Sequence, residues 1–159
     1  MSEQTQDGQS QDDAVTFILQ RIYLKDVSFE SPRSPDAFLK QWKPKVNMEM
    51  NTKNSTLAED NYEVVLSLTI TAKDEADETV YLIEVQQAGI FLIKGMEGEA
   101  LQVTLGSYCP NVLFPYAREA IDAIVTKGSF PPLMLAPVNF DAIYQEVRAQ
   151  AEANNANVQ

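Results

Sequence analysis

The sequence predicts an α+β fold in which a four-stranded antiparallel sheet is followed by two C-terminal helices. Apolar residues alternate with period two from Val15 to Ile93, and recur at helical spacing after Gly106. Strands that come first and helices that come last are typical of this fold class. At 159 residues, the chain has the usual length of a single domain.

The first strand is predicted over residues 15–30, and a loop follows it. Its apolar alternation changes phase between Leu24 and Val27, which predicts a β-bulge there. The next segment, residues 31–45, contains prolines that interrupt both helices and sheet ladders. We therefore expect a long loop, and it carries three large apolar side chains: Phe38, Leu39 and Trp42.

Three further strands are predicted. Residues 46–51 and 62–70 alternate apolar with polar side chains, as strands with one solvated face do. The strand at 79–93 has apolar side chains on both faces, for example Ile83 on one face and Leu82 on the other. A second apolar face indicates either a covering helix or an interface between subunits, and the pattern leaves both open.

Two helices are predicted in the last third of the chain. After Gly106, an apolar stripe at helical spacing predicts a helix with Pro115 in its first turn and Gly128 as its C-cap. The segment IKGMEGE before it is interpreted as a plain loop. A proline-rich connector then leads to Asn139, a favourable N-cap for a last helix at 139–151.

The two ends of the chain differ from its middle in composition. Residues 1–13 and 153–159 are polar and lack apolar periodicity, which predicts disordered tails around a single domain at 14–152. The first residues also lack the basic start and apolar run of a secretory signal, and Cys109 has no second Cys to pair with. These observations favour a cytoplasmic protein, and no apolar run is long enough to cross a bilayer.

Charge and composition exclude several classes of function. The formal charge is −11, and such a field repels nucleic acids and anionic lipids, so neither is expected as a partner. The chain has no His, which removes the commonest general base and the usual Ser-His and Cys-His nucleophile pairs. We therefore predict no catalytic residue, no metal and no cofactor, and Cys109 is interpreted as a packed thiol.

Two groups of side chains remain as candidate sites. The carboxylates of Asp26, Glu30 and Glu84 have no metal partner in the sequence, and a solvated face is their default interpretation. Trp42 and its apolar neighbours in the proline-rich loop must either pack down or meet a ligand, and the sequence leaves both open. A loose cover over the last helix would leave an apolar groove suited to extended peptides.

Five blocks of the sequence carry a resemblance to a known family. They are QRIYLKDVSFE at 20–30, YEVVLSLTITA at 62–72, LIEVQQAGIF at 82–91, LGSYCPNVLFPYARE at 105–119 and FPPLMLAPVNFDAIY at 130–144. In this order and spacing they resemble the SecB family of bacterial export chaperones. The resemblance implies a dimer of dimers with helices sandwiched between sheets. It also implies a protein with no enzymatic activity that binds unfolded preproteins after synthesis, keeps them translocation-competent and delivers them to the SecA ATPase.

The resemblance assigns roles to particular residues. Asp26, Glu30, Leu82 and Glu84 match a patch that docks the zinc-bearing C-terminal tail of SecA, and the zinc belongs to that partner. The tetramer interface of the family corresponds to four residues of the fourth strand: Tyr81, Ile83, Val85 and Gln87. The client groove of the family corresponds to five residues: Phe38, Leu39, Trp42, Phe140 and Tyr144.

The sequence departs from the family in two places. Its N-terminal tail is longer than expected, and Ile83 stands where a Cys is familiar. An alternative function is a general holdase or a toxin-antitoxin-associated chaperone of the same fold. Such a protein would keep the groove but need not use the acidic side chains.

Overall fold

The computed structural model describes residues 14–158, and the tail expected at 1–13 lies outside them. Its elements follow the predicted order, and the α+β class is confirmed. They are β1 (Thr16–Glu30), a 3-10 helix (Asp36–Leu39), β2 (Lys45–Ala58), β3 (Asn61–Lys73), β4 (Thr79–Lys94), α1 (Gly98–Val103), a π-helical turn (Thr104–Tyr108), α2 (Cys109–Lys127) and α3 (Phe140–Ala156).

The four strands form one antiparallel sheet in the order β1-β4-β3-β2. Strands β2, β3 and β4 are joined by short turns, whereas the loop after β1 carries the chain from one edge of the sheet to the other. Strand β2 runs to Ala58, beyond the predicted 46–51. Its second half pairs with β3 through the backbone, which requires no apolar alternation.

Strand β1 contains the predicted bulge. Its register against β4 shifts between Leu24 and Asp26, and a second shift lies between Leu19 and Arg21. Each shift inserts one extra residue and reverses the side-chain alternation. The two bulges together keep most apolar residues of β1, from Phe17 to Phe29, on the face toward α2, whereas Ile18 lies on the other face.

The first helical run starts earlier than predicted. Elements α1, the π turn and α2 make one continuous helical run from Gly98, so the predicted helix start after Gly106 is too late. The plain loop interpreted at 93–99 is limited to residues 95–97. Pro110 takes the second position of α2, and Pro115 lies inside the helix instead of in its first turn. Because Pro115 has no N–H, the carbonyl four residues earlier loses its helical partner.

Helix α2 lies across β3 and β4 and covers one face of the sheet. The approach is closest at Gly89, where an added Cβ would lie 3.0 Å from a methyl carbon of Leu113. The apolar stripe of α2 packs on the strand residues that point toward it: Leu113, Ala117, Ile121 and Val125 from the helix, and Leu66, Leu68, Ile70, Ile83, Val85 and Phe91 from the sheet. A covering helix therefore explains the apolar face of β4 that includes Ile83.

Helix α2 ends with a cap that turns the chain into the connector, defined here as residues 130–138. Gly128 is the C-cap, as predicted, and Ser129 takes the left-handed conformation with φ 66°. The N–H groups of Ser129 and Phe130 donate to the carbonyls of Thr126 and Val125 at 3.0 and 3.1 Å. These two bonds form a Schellman motif.

Helix α3 begins at the predicted cap. Asn139 Oδ1 accepts a hydrogen bond from the N–H of Ala142 at 3.0 Å. The helix then continues to Ala156, so residues 153–156, expected in a tail, lie in its last turn. Arg148 pairs with Glu99 at the start of α1, which holds α3 against the earlier helical run. The side chains of this last turn are small or polar and all exposed, so its backbone hydrogen bonds stabilise it.

Candidate binding surfaces

The acidic patch, defined as Asp26, Glu30, Leu82 and Glu84, lies on the sheet face opposite α2. Glu30 pairs with Leu82, and Glu84 is diagonal to both Asp26 and Glu30 in the register. Diagonal neighbours of this kind stand about 7–8 Å apart. The three carboxylates are exposed and Leu82 is half-buried. The structure thus brings the four predicted residues together around one apolar side chain.

The bulge at Lys25 places Asp26 in this patch. Tyr23 pairs with Ala88 on the outer face, so strict alternation would turn Asp26 toward α2. The extra residue reverses the phase, and Asp26 pairs instead with Gln86 on the outer face. A local irregularity of β1 therefore lets three acidic side chains share one surface.

Sequence reasoning missed a fourth carboxylate on this face. Glu49 of β2 is exposed and pairs with Thr69, which in turn pairs with Glu84. It lies two strands from Glu84, at a spacing of about 10 Å. The signal was present, because Met48 and Met50 alternate inward and place Glu49 outward.

A polar network borders the acidic patch. Lys25 Nζ lies 2.8 Å from one oxygen of Glu63, and the Tyr23 hydroxyl donates to the other oxygen. The bond from Lys25, and then that from Tyr23, lowers the pKa of Glu63 below its usual value. Burial, and then the hydrogen bond to Glu63 and its charge, raises the pKa of Tyr23 to about 12. The network ties the bulge of β1 to strand β3.

The four residues assigned to the tetramer interface lie inside the chain's own core. Tyr81 and Ile83 are 0% exposed, Val85 is 1% exposed and Gln87 is 4% exposed. Gln87 Nε2 donates to the carbonyl of Tyr23 at 3.0 Å, so its amide is used within the chain. All four side chains are thus buried within the single chain, and their role in a tetramer interface stays a prediction.

One end of the sheet carries an aromatic cluster, defined as Phe38, Trp42, Tyr81 and Phe130. The Phe130 ring centroid lies 5.0 Å from Tyr81, 5.1 Å from Trp42 and 5.2 Å from Phe38. The hydroxyl of Tyr81 is buried without a hydrogen-bond partner. Burial, with a smaller effect of Asp122, raises the pKa of Tyr81 to about 12. Sequence reasoning missed the central Phe130.

The five predicted groove residues fall into two groups. Phe38 and Trp42 join the aromatic cluster, and Leu39 beside them is 87% exposed. Phe140 is only 4% exposed, with its ring edge-on to Phe114 at a centroid distance of 5.7 Å. It therefore offers little surface to a ligand.

Tyr144 in the second group packs on the π turn. A Cβ added at Gly106 would lie 2.6 Å from the Tyr144 ring, so only glycine allows this contact. The ring thereby fixes the position of α3 against the earlier helical run. Tyr144 keeps only part of its surface exposed.

Further apolar side chains are exposed outside these two groups. The connector and α3 contribute three side chains, and the edge strand β2 contributes two. Their exposed fractions are 77% for Met134, 36% for Ile143, 60% for Val147, 42% for Val46 and 37% for Met48. Sequence reasoning missed them, although the apolar alternation of β2 placed Val46 and Met48 on the covered face.

Potential catalytic groups show no activation. Cys109 is buried, and burial raises the pKa of its thiol to about 12, which disfavours the nucleophilic thiolate. Within residues 14–158, no group of three or more Cys, Asp or Glu side chains is placed to hold a metal ion. None of the helices described for this range combines the length and the apolar character that crossing a membrane requires.

A sheet with one covered face, exposed apolar side chains and an acidic outer face defines a binding protein. Comparison with known proteins identifies the family: residues 10–151 match the model described as "SecB: Preprotein translocase subunit SecB". The chain belongs to the SecB family of protein-export chaperones.

Relatives support this assignment along almost the whole chain. The Protein-export protein SecB of Hahella chejuensis is 60% identical over 140 residues, covering 88% of this chain and 87% of the relative. That of Pseudomonas aeruginosa is 51% identical over 154 residues, covering 97% and 94%. The SecB-like chaperone of Mycobacterium tuberculosis, solved with an antitoxin peptide, has a TM-score of 0.64 at 17% identity, covering 77% of this chain and 90% of that one. At this identity the likeness concerns the fold.

Proposed function

We propose that this chain holds unfolded preproteins in the cytoplasm on its exposed apolar side chains and delivers them to SecA through the acidic patch. It performs no reaction of its own. The observation that carries the proposal is the separation of the two surfaces on opposite sides of the sheet. Client and motor can therefore be bound at the same time.

The client surface starts at the aromatic cluster and continues along the connector toward α3. Apolar area buried on binding contributes about 25 cal/mol per Å² before the cost of ordering both chains. Such contacts require no particular sequence, so many unfolded chains fit. Leu39 and Met134 are the most exposed of these side chains, with 87% and 77% of their surfaces accessible.

The acidic patch suits the basic, zinc-bearing tail of SecA. Each exposed ion pair contributes only about 0–1 kcal/mol, so affinity must come from several charges together. Asp26, Glu30 and Glu84 supply them within one diagonal set, and Glu49 extends the surface. Bivalent contact across an oligomer would add to this affinity.

Assembly into a dimer of dimers is part of the proposal. Strand β1 is an edge of the sheet with exposed apolar side chains, for example Ile18 at 48% and Leu24 at 49%. Unpaired backbone groups of an edge strand can pair with a second copy. Ile83 and Val85 would influence the association only through the helix they support, since both lie beneath α2.

Two single substitutions separate the two surfaces. Glu84→Lys should weaken binding of the SecA tail at least about tenfold and leave client binding unchanged, because it reverses one charge in a set of three. Glu119→Lys, the same charge change at an exposed site of α2, is the control and should have no effect. Titration calorimetry with the zinc-loaded tail measures both variants. Equal weakening by both would contradict the patch assignment.

Leu39→Asp should show the reverse pattern. It removes a large exposed apolar side chain, so client affinity should fall about tenfold while SecA binding and folding are unchanged. The fluorescence of Trp42, the single tryptophan, reports client binding nearby. Loss of SecA binding with client binding intact would overturn the proposal. A general holdase of this fold, the alternative, predicts no SecA binding even in the unsubstituted protein.

A further inference from the structure

One carboxylate of α2, that of Asp122, ties the middle of the connector to the helix. Asp122 Oδ1 accepts the N–H groups of both Leu133 and Met134, at 3.0 and 3.2 Å. Hydrogen bonds to a charged acceptor are stronger than those between neutral groups. Prolines at 131, 132 and 137 keep this segment out of helices and sheet ladders, so it has few other backbone bonds to lose.

Two features work against this closed arrangement. Met134 adopts φ 48°, a conformation that side chains other than Gly rarely take, and 77% of its surface is exposed. The hydroxyl of Tyr81 lies buried and unpartnered beneath Phe130, the first residue of the connector. Lifting the connector would relax the backbone and let water reach this hydroxyl.

We propose that Asp122 is a positioning residue that clasps the connector over the aromatic cluster, and that unfolded clients bind by opening this clasp. The closed connector keeps Phe130 on Trp42 and Tyr81, and only 5% of Phe130 is exposed. Opening exchanges this internal contact for an apolar segment of the client. The inference rests on the client-holding function proposed above. It adds that the connector acts as a gate over the aromatic cluster.

Hydrogen exchange of the client-free protein tests the clasp. Asp122→Ala should speed exchange of the Leu133 and Met134 amides at least about tenfold, because both lose a charged acceptor. Tyr81→Phe should slow them several-fold, because it removes the unpaired hydroxyl that disfavours closure. Glu119→Ala, which removes another α2 carboxylate, should change neither rate. The amide of Ile121 within α2 is the internal reference in each variant.

Opposite shifts in the two variants support the inference. Unchanged exchange in Asp122→Ala overturns the clasp, and faster or unchanged exchange in Tyr81→Phe overturns the role of the unpaired hydroxyl. These outcomes involve no client, so they do not depend on the proposed function.

A second measurement adds an unfolded, slowly folding preprotein to the unsubstituted chain. Exchange at Leu133 and Met134 should then rise while Ile121 stays protected. A client that binds, as measured by mass, without changing these amides would overturn the gate and leave the holding function intact. A client that does not bind would overturn the holding function and with it client-driven opening, while the client-free variants still decide the clasp.

Discussion

The two faces of strand β4 carry neighbouring residues with different tasks. Ile83 is 0% exposed beneath α2, whereas Glu84, one residue further, stands in solvent beside Asp26 and Glu30. A step of one residue along a strand changes the face of the sheet. Residues that stabilise the fold and residues proposed to bind a partner therefore alternate within one strand, and substitutions on the two faces should have different consequences.

The largest expected effect concerns the rate of alkylation of Cys109, a buried thiol of α2 on the covered side of the sheet. Its pKa is raised to about 12 from 9.0, so at pH 8 the thiolate fraction falls by about a thousandfold, and burial blocks access as well. Alkylation at pH 8 should be at least about a thousandfold slower in the folded protein than in urea. Rapid alkylation of the folded chain would show that Cys109 is accessible to solvent, which would contradict its burial.

Ile83→Ala and Glu84→Ala compare the two faces directly. The first leaves a cavity under α2 and should lower the free energy of unfolding by about 2–5 kcal/mol. The second removes an exposed side chain and should change it by less than about 0.5 kcal/mol. Urea unfolding monitored by circular dichroism measures both. Similar losses in the two variants would mean that Glu84 also has a structural role.

The salt dependence of binding should differ between the acidic patch and the apolar client surface. Raising the ionic strength from about 0.05 to 0.5 M screens exposed charges, so affinity for the SecA tail should fall about tenfold. Client affinity should change less than about twofold, because apolar burial carries it. Calorimetry at several salt concentrations provides the measurement. Equal salt dependence would contradict the assignment of the two partners to different surfaces.

The network beside the patch should have the smallest effect. The pKa of Glu63 lies below its usual 4.5, so its stabilisation is fully present above that pH and is lost as pH falls through the lower folded value. Glu63→Gln should cost less than about 1 kcal/mol at pH 7. Unfolding curves of the variant and the unsubstituted chain should converge in acid. A difference in the free energy of unfolding between the two chains that grows as pH falls would contradict the lowered pKa of Glu63.

Local patterns predicted the strands well, because alternation and the bulge depend on neighbouring residues. The phase change between Leu24 and Val27 was enough to locate the bulge that turns Asp26 outward. The start of the helical run at Gly98 was missed, since a π turn lets the helix continue through Gly106.

Burial depended on the packing of distant elements and was harder to predict. The sequence alone left a covering helix and a subunit interface equally open for the second apolar face of β4, and α2 covers the face that includes Ile83. The family resemblance assigned Phe140 to the client groove, yet its ring packs on Phe114. Glu49 could have been added to the acidic face from the alternation of β2 alone.

The most direct test of the central claim is the solution mass by light scattering, alone and with an unfolded, slowly folding preprotein. We predict a mass near four chains that rises when the preprotein is added. A monomer whose mass is indifferent to unfolded chains would contradict both the assembly and the holding function.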